Sequence, residues 1–207
     1  MSSSRRRWVE LVAIFGAIPG AFALGLPLHK MVSLDAIAIV SGIVLLQDRG
    51  FDRRELLGLR GLRGHLPLVV ATFAATVAAA AVVAVRARAA AGLSPAARVG
   101  VAVAYLAGYA LVSAVPQELL YRSYFFHRYR GIFGSERRLV IASTVAFALL
   151  HVVFHNAVAI ALTVVGGWVF SRTYASTRSL ALVSLQHTSL GVAVFAAGLG
   201  PYFGSHL

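Results

Sequence analysis

The stretch "PQELLYRSYFFHR" (Pro116–Arg128) places a carboxylate, Glu118, and a guanidinium, Arg122, four residues apart within a chain otherwise rich in alanine, valine and leucine. What surrounds it decides the fold. Of 207 residues, 59% are hydrophobic and 13% charged, against about 25% charged in a soluble domain. One small globule cannot hide that much apolar surface, so the solvent implied for most of the chain is lipid. The net charge of +12 is not spread as on a nucleic-acid-binding domain. It lies in short arginine clusters between apolar runs, the pattern that orients membrane proteins. No nucleic-acid partner is expected. The chain has no cysteine, which excludes disulfides, thiol nucleophiles and Cys-type zinc sites.

Working outward from the stretch, apolar runs near 8–28, 31–47, 66–85, 99–120, 139–156, 157–171 and 180–199 each approach the about 20 residues a spanning helix needs. The expected fold is an all-α polytopic membrane bundle of about seven helices. The fourth helix is expected to run on to about Arg128, and the fifth and sixth to meet at "HNAV" with almost no loop. Two parts are read within one membrane domain. Residues 1–65 form an N-terminal hairpin and a basic interfacial connection, and 66–207 form a helical core. The first run, after "SSSRRR", reads as a retained helix. With the N-terminus cytoplasmic, the arginines of 5–7, 49–63, 122–138 and 172–178 fall on or toward the inside, and only Lys30, Arg86, Arg88 and Arg98 outside. This is the positive-inside bias. It predicts an integral protein of the cell (inner) membrane with its C-terminus outside.

Ionisable groups at membrane depth cost about 2.5–3.5 kcal/mol each on insertion scales, so each needs a reason. Glu118 lies about 15 Å in from Arg128, His151 about 20 Å from Arg138 and His187 about 14 Å from Arg178, at about 1.5 Å per residue. Three helices therefore bring a carboxylate and two imidazoles to similar depth. Taken singly, each has a plainer reading. Glu118 and Arg122 pair on one helix face. His151 and His155 have the i, i+4 spacing of a zinc-binding helix but also of a polar stripe between helices. His187 is a structural hydrogen bonder. Asp35 is a structural partner or part of a polar pathway. "VVGGWVF" (164–170) supplies small residues for close helix packing. "YRSYFFHRYR" (121–130) is an interfacial anchor or a cavity mouth.

The constellation resembles the CPBP (Abi) family of intramembrane proteases, which includes the type II CAAX prenyl endopeptidases. "QELLYR" matches that family's Glu-Glu-x-x-x-Arg at Glu118 and Arg122, "FALLH" its Phe-x-x-x-His at Phe147 and His151, and "HTSLG" its third motif from His187 to Gly191. Gln117 stands where the family has its leading, water-activating Glu, and Gly191 where some members carry an oxyanion-binding Asn. The resemblance implies an intramembrane endopeptidase acting on a membrane-associated peptide or protein. Its implied site is Glu118 as water-activating base, His151, His187 and Arg122, with Gln117 and Phe147 in support. The family is often called metalloprotease, and a metal-free glutamate mechanism is also proposed for it. Zn²⁺ held by Glu118, His151 and His187 and no metal at all both stay open. Two other functions stay open: a proteolytically inactive relative serving as a binding or immunity protein, to which Gln117 points, and a proton-coupled transporter using Asp35, Glu118 and the histidines.

Overall fold

The computed structural model describes residues 3–26, 29–58, 62–91 and 94–203. Residues 59–61 of the basic connection and 204–207 of the C-terminal "GPYFGSHL" lie outside the described residues. Among the described residues the regular structure is all helix, with no strand. Lipid offers the backbone no hydrogen bonds, and an α-helix satisfies its own. α1 (Ser3–Val12) continues through a π-turn at Ala13–Ala17 into α2 (Ile18–Ala23). Then come α3 (Lys30–Gln47), the short α4 (Arg54–Leu57) and α5 (Leu66–Ala91). α6 (Pro95–Tyr109), α7 (Val115–Glu118) and α8 (Phe125–Phe133) follow, then α9 (Glu136–His151), α10 (Ala157–Thr177) and α11 (Leu180–Ala196). Among the described residues, five helical runs are long and apolar enough to cross a membrane: Lys30–Gln47, Leu66–Arg86, Pro95–Phe133, Glu136–Phe154 and Ala157–Thr177. Leu180–Phe195 is a shorter apolar helix. The chain is an all-α integral membrane bundle.

α6, α7 and α8 form one continuous run, Pro95–Phe133, longer than the expected fourth span. π-turns at Ala110–Ala114 and Leu119–Tyr124 interrupt it on either side of α7. Pro116 has no N–H, and its ring crowds the carbonyl four residues earlier, so the helix widens there rather than breaking. Widened turns of this kind often mark functional sites. The run stops at Gly134, whose φ of 69° is left-handed, and the Ser135 hydroxyl caps α9 by accepting from the Arg138 N–H. Arg178 and Ser179 end α10 and start α11 the same way, with φ 48° at Arg178 and Ser179 Oγ accepting from Leu182 N.

The fifth and sixth apolar runs meet at "HNAV", where they were expected to, but the helix before that point ends early. α9 stops at His151, a 3-10 turn spans Val152–Phe154, His155 takes a left-handed φ of 49°, and Asn156 caps α10. Asn156 Oδ1 accepts from Val158 N at 2.8 Å and from Ala159 N at 3.3 Å. That side chain is occupied by capping. His151 and His155 therefore do not share a helix face, and His155 is exposed.

The run 121–130 is not an anchor at the lipid surface. Tyr121, Tyr124, Phe125, Phe126 and Tyr129 are all buried. Phe15 meets the rings of Tyr121, Phe125 and Tyr129 edge-on. Glu10 of α1 accepts from Arg128 Nε at 2.9 Å, from Tyr124 Oη at 2.7 Å and from Tyr129 Oη at 3.1 Å, fastening the N-terminal helix to α8. At the same end Asp48 bonds His127 at 2.8 Å, and Tyr174 donates to Glu55 at 2.7 Å. The His127 contact and the Gly50 N–H hold the Asp48 carboxyl below the usual carboxylate range.

Candidate active site

α7 lies between α3 and α11, and the π-turn after it packs against α3 and α9. This places Glu118 and Arg122 in the interior, where both side chains are fully buried. Arg122 Nε stands 3.1 Å from Glu118 Oε2, an ion-pair contact whose angle falls short of a hydrogen bond. The rest of the guanidinium reaches two other helices. It donates to Ser143 Oγ of α9 at 3.1 Å, to its neighbour's Tyr121 carbonyl at 3.3 Å and to the Gly167 carbonyl of α10 at 3.5 Å. It also lies over the Phe147 ring, 4.9 Å from the centroid. Ser143 in turn donates to the Tyr121 carbonyl at 2.7 Å and accepts from Ser171 at 3.1 Å. The small residues of "VVGGWVF" serve this approach. A Cβ on Gly167 would meet Phe147 Cδ1 at 3.0 Å.

The other Glu118 oxygen, Oε1, is 2.9 Å from His187 Nδ1. An ionised carboxylate only accepts, so Nδ1 carries the proton and the lone pair rests on Nε2. The imidazole is stacked on Phe170, with centroids 4.9 Å apart and planes 17° apart, and meets the edge of Phe147 at 5.6 Å. His151 is tied in a parallel manner. Its Nδ1 donates to the Phe147 carbonyl at 2.8 Å, which leaves its Nε2 as the acceptor. The Phe147 ring is 4.7 Å from His151, so one aromatic ring touches both imidazoles and the Arg122 guanidinium. Glu118, Arg122, Phe147, His151 and His187 are thus gathered round a single ring.

Gln117 is buried beside them, but its amide N–H is spent on Ser113 Oγ at 2.9 Å, and Oε1 has no partner. Asp35 keeps a buried, unpartnered Oδ1 on α3 and is not among the groups bonded to Glu118. Sequence reasoning missed Ser143 and Phe170, which fix Arg122 and His187, and it missed Tyr109 and Ser113. The four-residue spacing of Tyr109, Ser113 and Gln117 was the available signal for the last two.

The candidate zinc ligands Glu118, His151 and His187 lie near one another but are not oriented round a common point. Among the described residues no three His, Asp or Glu side chains are placed to hold a metal ion. The reason is local. Arg122 and His187 Nδ1 occupy the two oxygens of Glu118, and the free nitrogen of His187 is the one remote from that carboxylate. As arranged, these residues do not fit a Zn²⁺ site.

The structure is that of a polytopic membrane protein with a polar, histidine-bearing cluster buried inside its bundle. Residues 99–193 match the family of type II CAAX prenyl endopeptidase Rce1-like proteins. This segment, under half of the chain, holds every motif residue from Gln117 to Gly191 and is similar to that peptidase family. No curated protein and no solved structure matches the chain.

Proposed function

We propose that the protein is an intramembrane endopeptidase that hydrolyses a peptide bond of a membrane-associated protein or peptide, with His187 as the general base. The observation that carries this is the bond from His187 Nδ1 to a fully buried Glu118 that is itself fixed by Arg122. A carboxylate on Nδ1 holds the ring in the tautomer that accepts at Nε2, and it stabilises the imidazolium that then forms. Glu118, with both oxygens engaged, suits this positioning role better than that of the base.

The proposed reaction runs as follows. Water gives a proton to His187 Nε2 as its oxygen attacks the scissile carbonyl carbon. His151 Nε2, across the Phe147 ring, orients that water. The tetrahedral adduct collapses, the C–N bond breaks, and the amine leaves with the proton that His187 returns. The site is served from the cytoplasmic side, the side to which the arginine clusters assign the N-terminus.

A binding-only relative is the second reading, and Gln117 favours it, because its side chain cannot take up a proton as a carboxylate does. One assay separates the two. Purified protein in lipid–detergent micelles is given a fluorescence-quenched peptide that carries an apolar segment of about 20 residues. The peptidase reading expects cleavage by the wild type and a loss of about 100-fold or more in His187→Gln. A wild type that binds the peptide and cleaves nothing establishes the second reading.

A further inference from the structure

The turns at one end of the bundle bring arginines together. The spans Pro95–Phe133 and Glu136–Phe154 are joined there by the turn at 134–135, and Arg178 joins Ala157–Thr177 to α11. A cavity of about 250 Å³ opens between these turns, with Arg130, Gly131, Gly134, Glu136, Leu139 and Arg178 in its lining. A third guanidinium stands beside it, since a Cβ on Gly131 would come 3.1 Å from Arg7 Nη1 of α1. The two glycines put no side chain into the space, and a Cβ on Gly134 would meet no atom within 4 Å.

The charge at this cavity is unbalanced. Neither Arg7 nor Arg130 has a carboxylate partner among the described residues. Glu136 of the lining stands 3.4 Å from Arg178 Nη2, and both side chains are exposed. A long, exposed pair of this kind holds weakly, and its one negative charge does not offset three guanidiniums. Arg178 is fixed by other contacts as well. Its guanidinium lies over the Phe126 and Tyr174 rings, 5.5 and 5.8 Å from their centroids. Its backbone has the left-handed φ of 48° that favours glycine, so an arginine stands there against the backbone's preference.

The position says which anion suits the cavity. Its cations lie in turns where spans leave the lipid, the level of the phospholipid headgroups. Leu139, buried at the start of the apolar part of α9, adds an apolar wall beside them. A guanidinium fork matches the oxygens of a phosphate, and basic pockets between membrane helices on the cytoplasmic side are suited to lipid head groups. We propose that this cavity binds the headgroup phosphate of an anionic membrane phospholipid, held by Arg130 and Arg178 with Arg7 alongside. It shares no residue with the Glu118–His187 cluster, and the inference stands apart from the peptidase reading.

Native mass spectrometry of the full chain in detergent tests the site, with phosphatidylglycerol and phosphatidylcholine of the same acyl chains as titrants. Inorganic phosphate and glycerol 3-phosphate form separate arms. The wild type is expected to form a one-to-one phosphatidylglycerol adduct about tenfold tighter, or more, than that with phosphatidylcholine. Arg130→Gln changes an exposed side chain, and Arg178→Gly suits the left-handed backbone, so both should fold. Each should weaken the phosphatidylglycerol adduct about fivefold, the share of one basic residue. Arg172→Gln, at an exposed arginine outside the lining, should leave it unchanged. Equal affinity for the two lipids, or a phosphatidylglycerol adduct insensitive to both cavity variants, overturns the site. Inorganic phosphate or glycerol 3-phosphate binding as tightly as the lipid, and lost in the same variants, overturns the lipid as its source and makes the cavity a site for a soluble phosphate.

Discussion

At the scale of single residues, Arg122 carries the heaviest structural duty. It neutralises the fully buried Glu118 and bonds α9 and α10 in the same act. Removing one partner of a buried ion pair costs about 3–5 kcal/mol, because the other charge is stranded. Arg122→Ala is therefore expected to lower the unfolding temperature and the yield of folded protein, whatever its activity. Arg122→Lys should recover little, since a point charge cannot reach Ser143, Gly167 and the Phe147 face together. Unfolding midpoints of purified variants in one detergent check both. The residues of this cluster were legible in the sequence for a physical reason. A charge or an imidazole within an apolar run is expensive, so Glu118, Arg122, His151 and His187 stood out unaided. Tyr109 and Ser113 did not, because hydroxyls are common where membrane helices pack. Gly191 was read as a missing donor, and in the fold its lack of a side chain makes room for the Tyr109 ring.

Among the helices themselves, the apolar runs announced where helices lie but not how they bend or end. Pro116 was visible, and the π-turn at Ala110–Ala114 holds the carbonyl it crowds, but nothing in the sequence announced the second π-turn at Leu119–Tyr124. The end of α9 was hidden because "HVVFHN" keeps the i, i+4 spacing of a continuous helix. In fact His155 adopts a left-handed backbone and Asn156 caps the next helix. His151→Ala should therefore abolish or severely reduce cleavage of the quenched peptide, and His155→Ala should retain it. Equal losses in the two would mean that the turn, and not the His151 imidazole, is what the site requires. Asn156→Ala should cost about 1 kcal/mol of stability, the usual loss of an N-cap side chain. Chemical denaturation in mild detergent measures that cost.

For the whole molecule, the arginine pattern makes a claim that the helices alone do not: a cytoplasmic N-terminus and an outside C-terminus. The N-terminal helix packs against α8. Glu10 bonds three side chains of α8 and its preceding turn, and Phe15 sits among their aromatic rings. Reporter fusions after residues 58, 92 and 207 should read inside, outside and outside. A cytoplasmic signal at 207 would reject the odd number of crossings and the placement of the site toward the cytoplasmic half.

The central claim is that Glu118 works through His187, and one measurement reaches it most directly: kcat of Glu118→Gln on the quenched peptide, beside the wild type. Glutamine keeps the size of the side chain and still accepts from Nδ1, but it removes the negative charge that steadies the imidazolium. The account predicts a protein that is less stable, since Arg122 loses its counter-charge, but whose folded fraction shows kcat lowered by about 100-fold or more with KM little changed. A folded Glu118→Gln with wild-type kcat would contradict it, leaving Glu118 as no more than the structural counter-charge of Arg122.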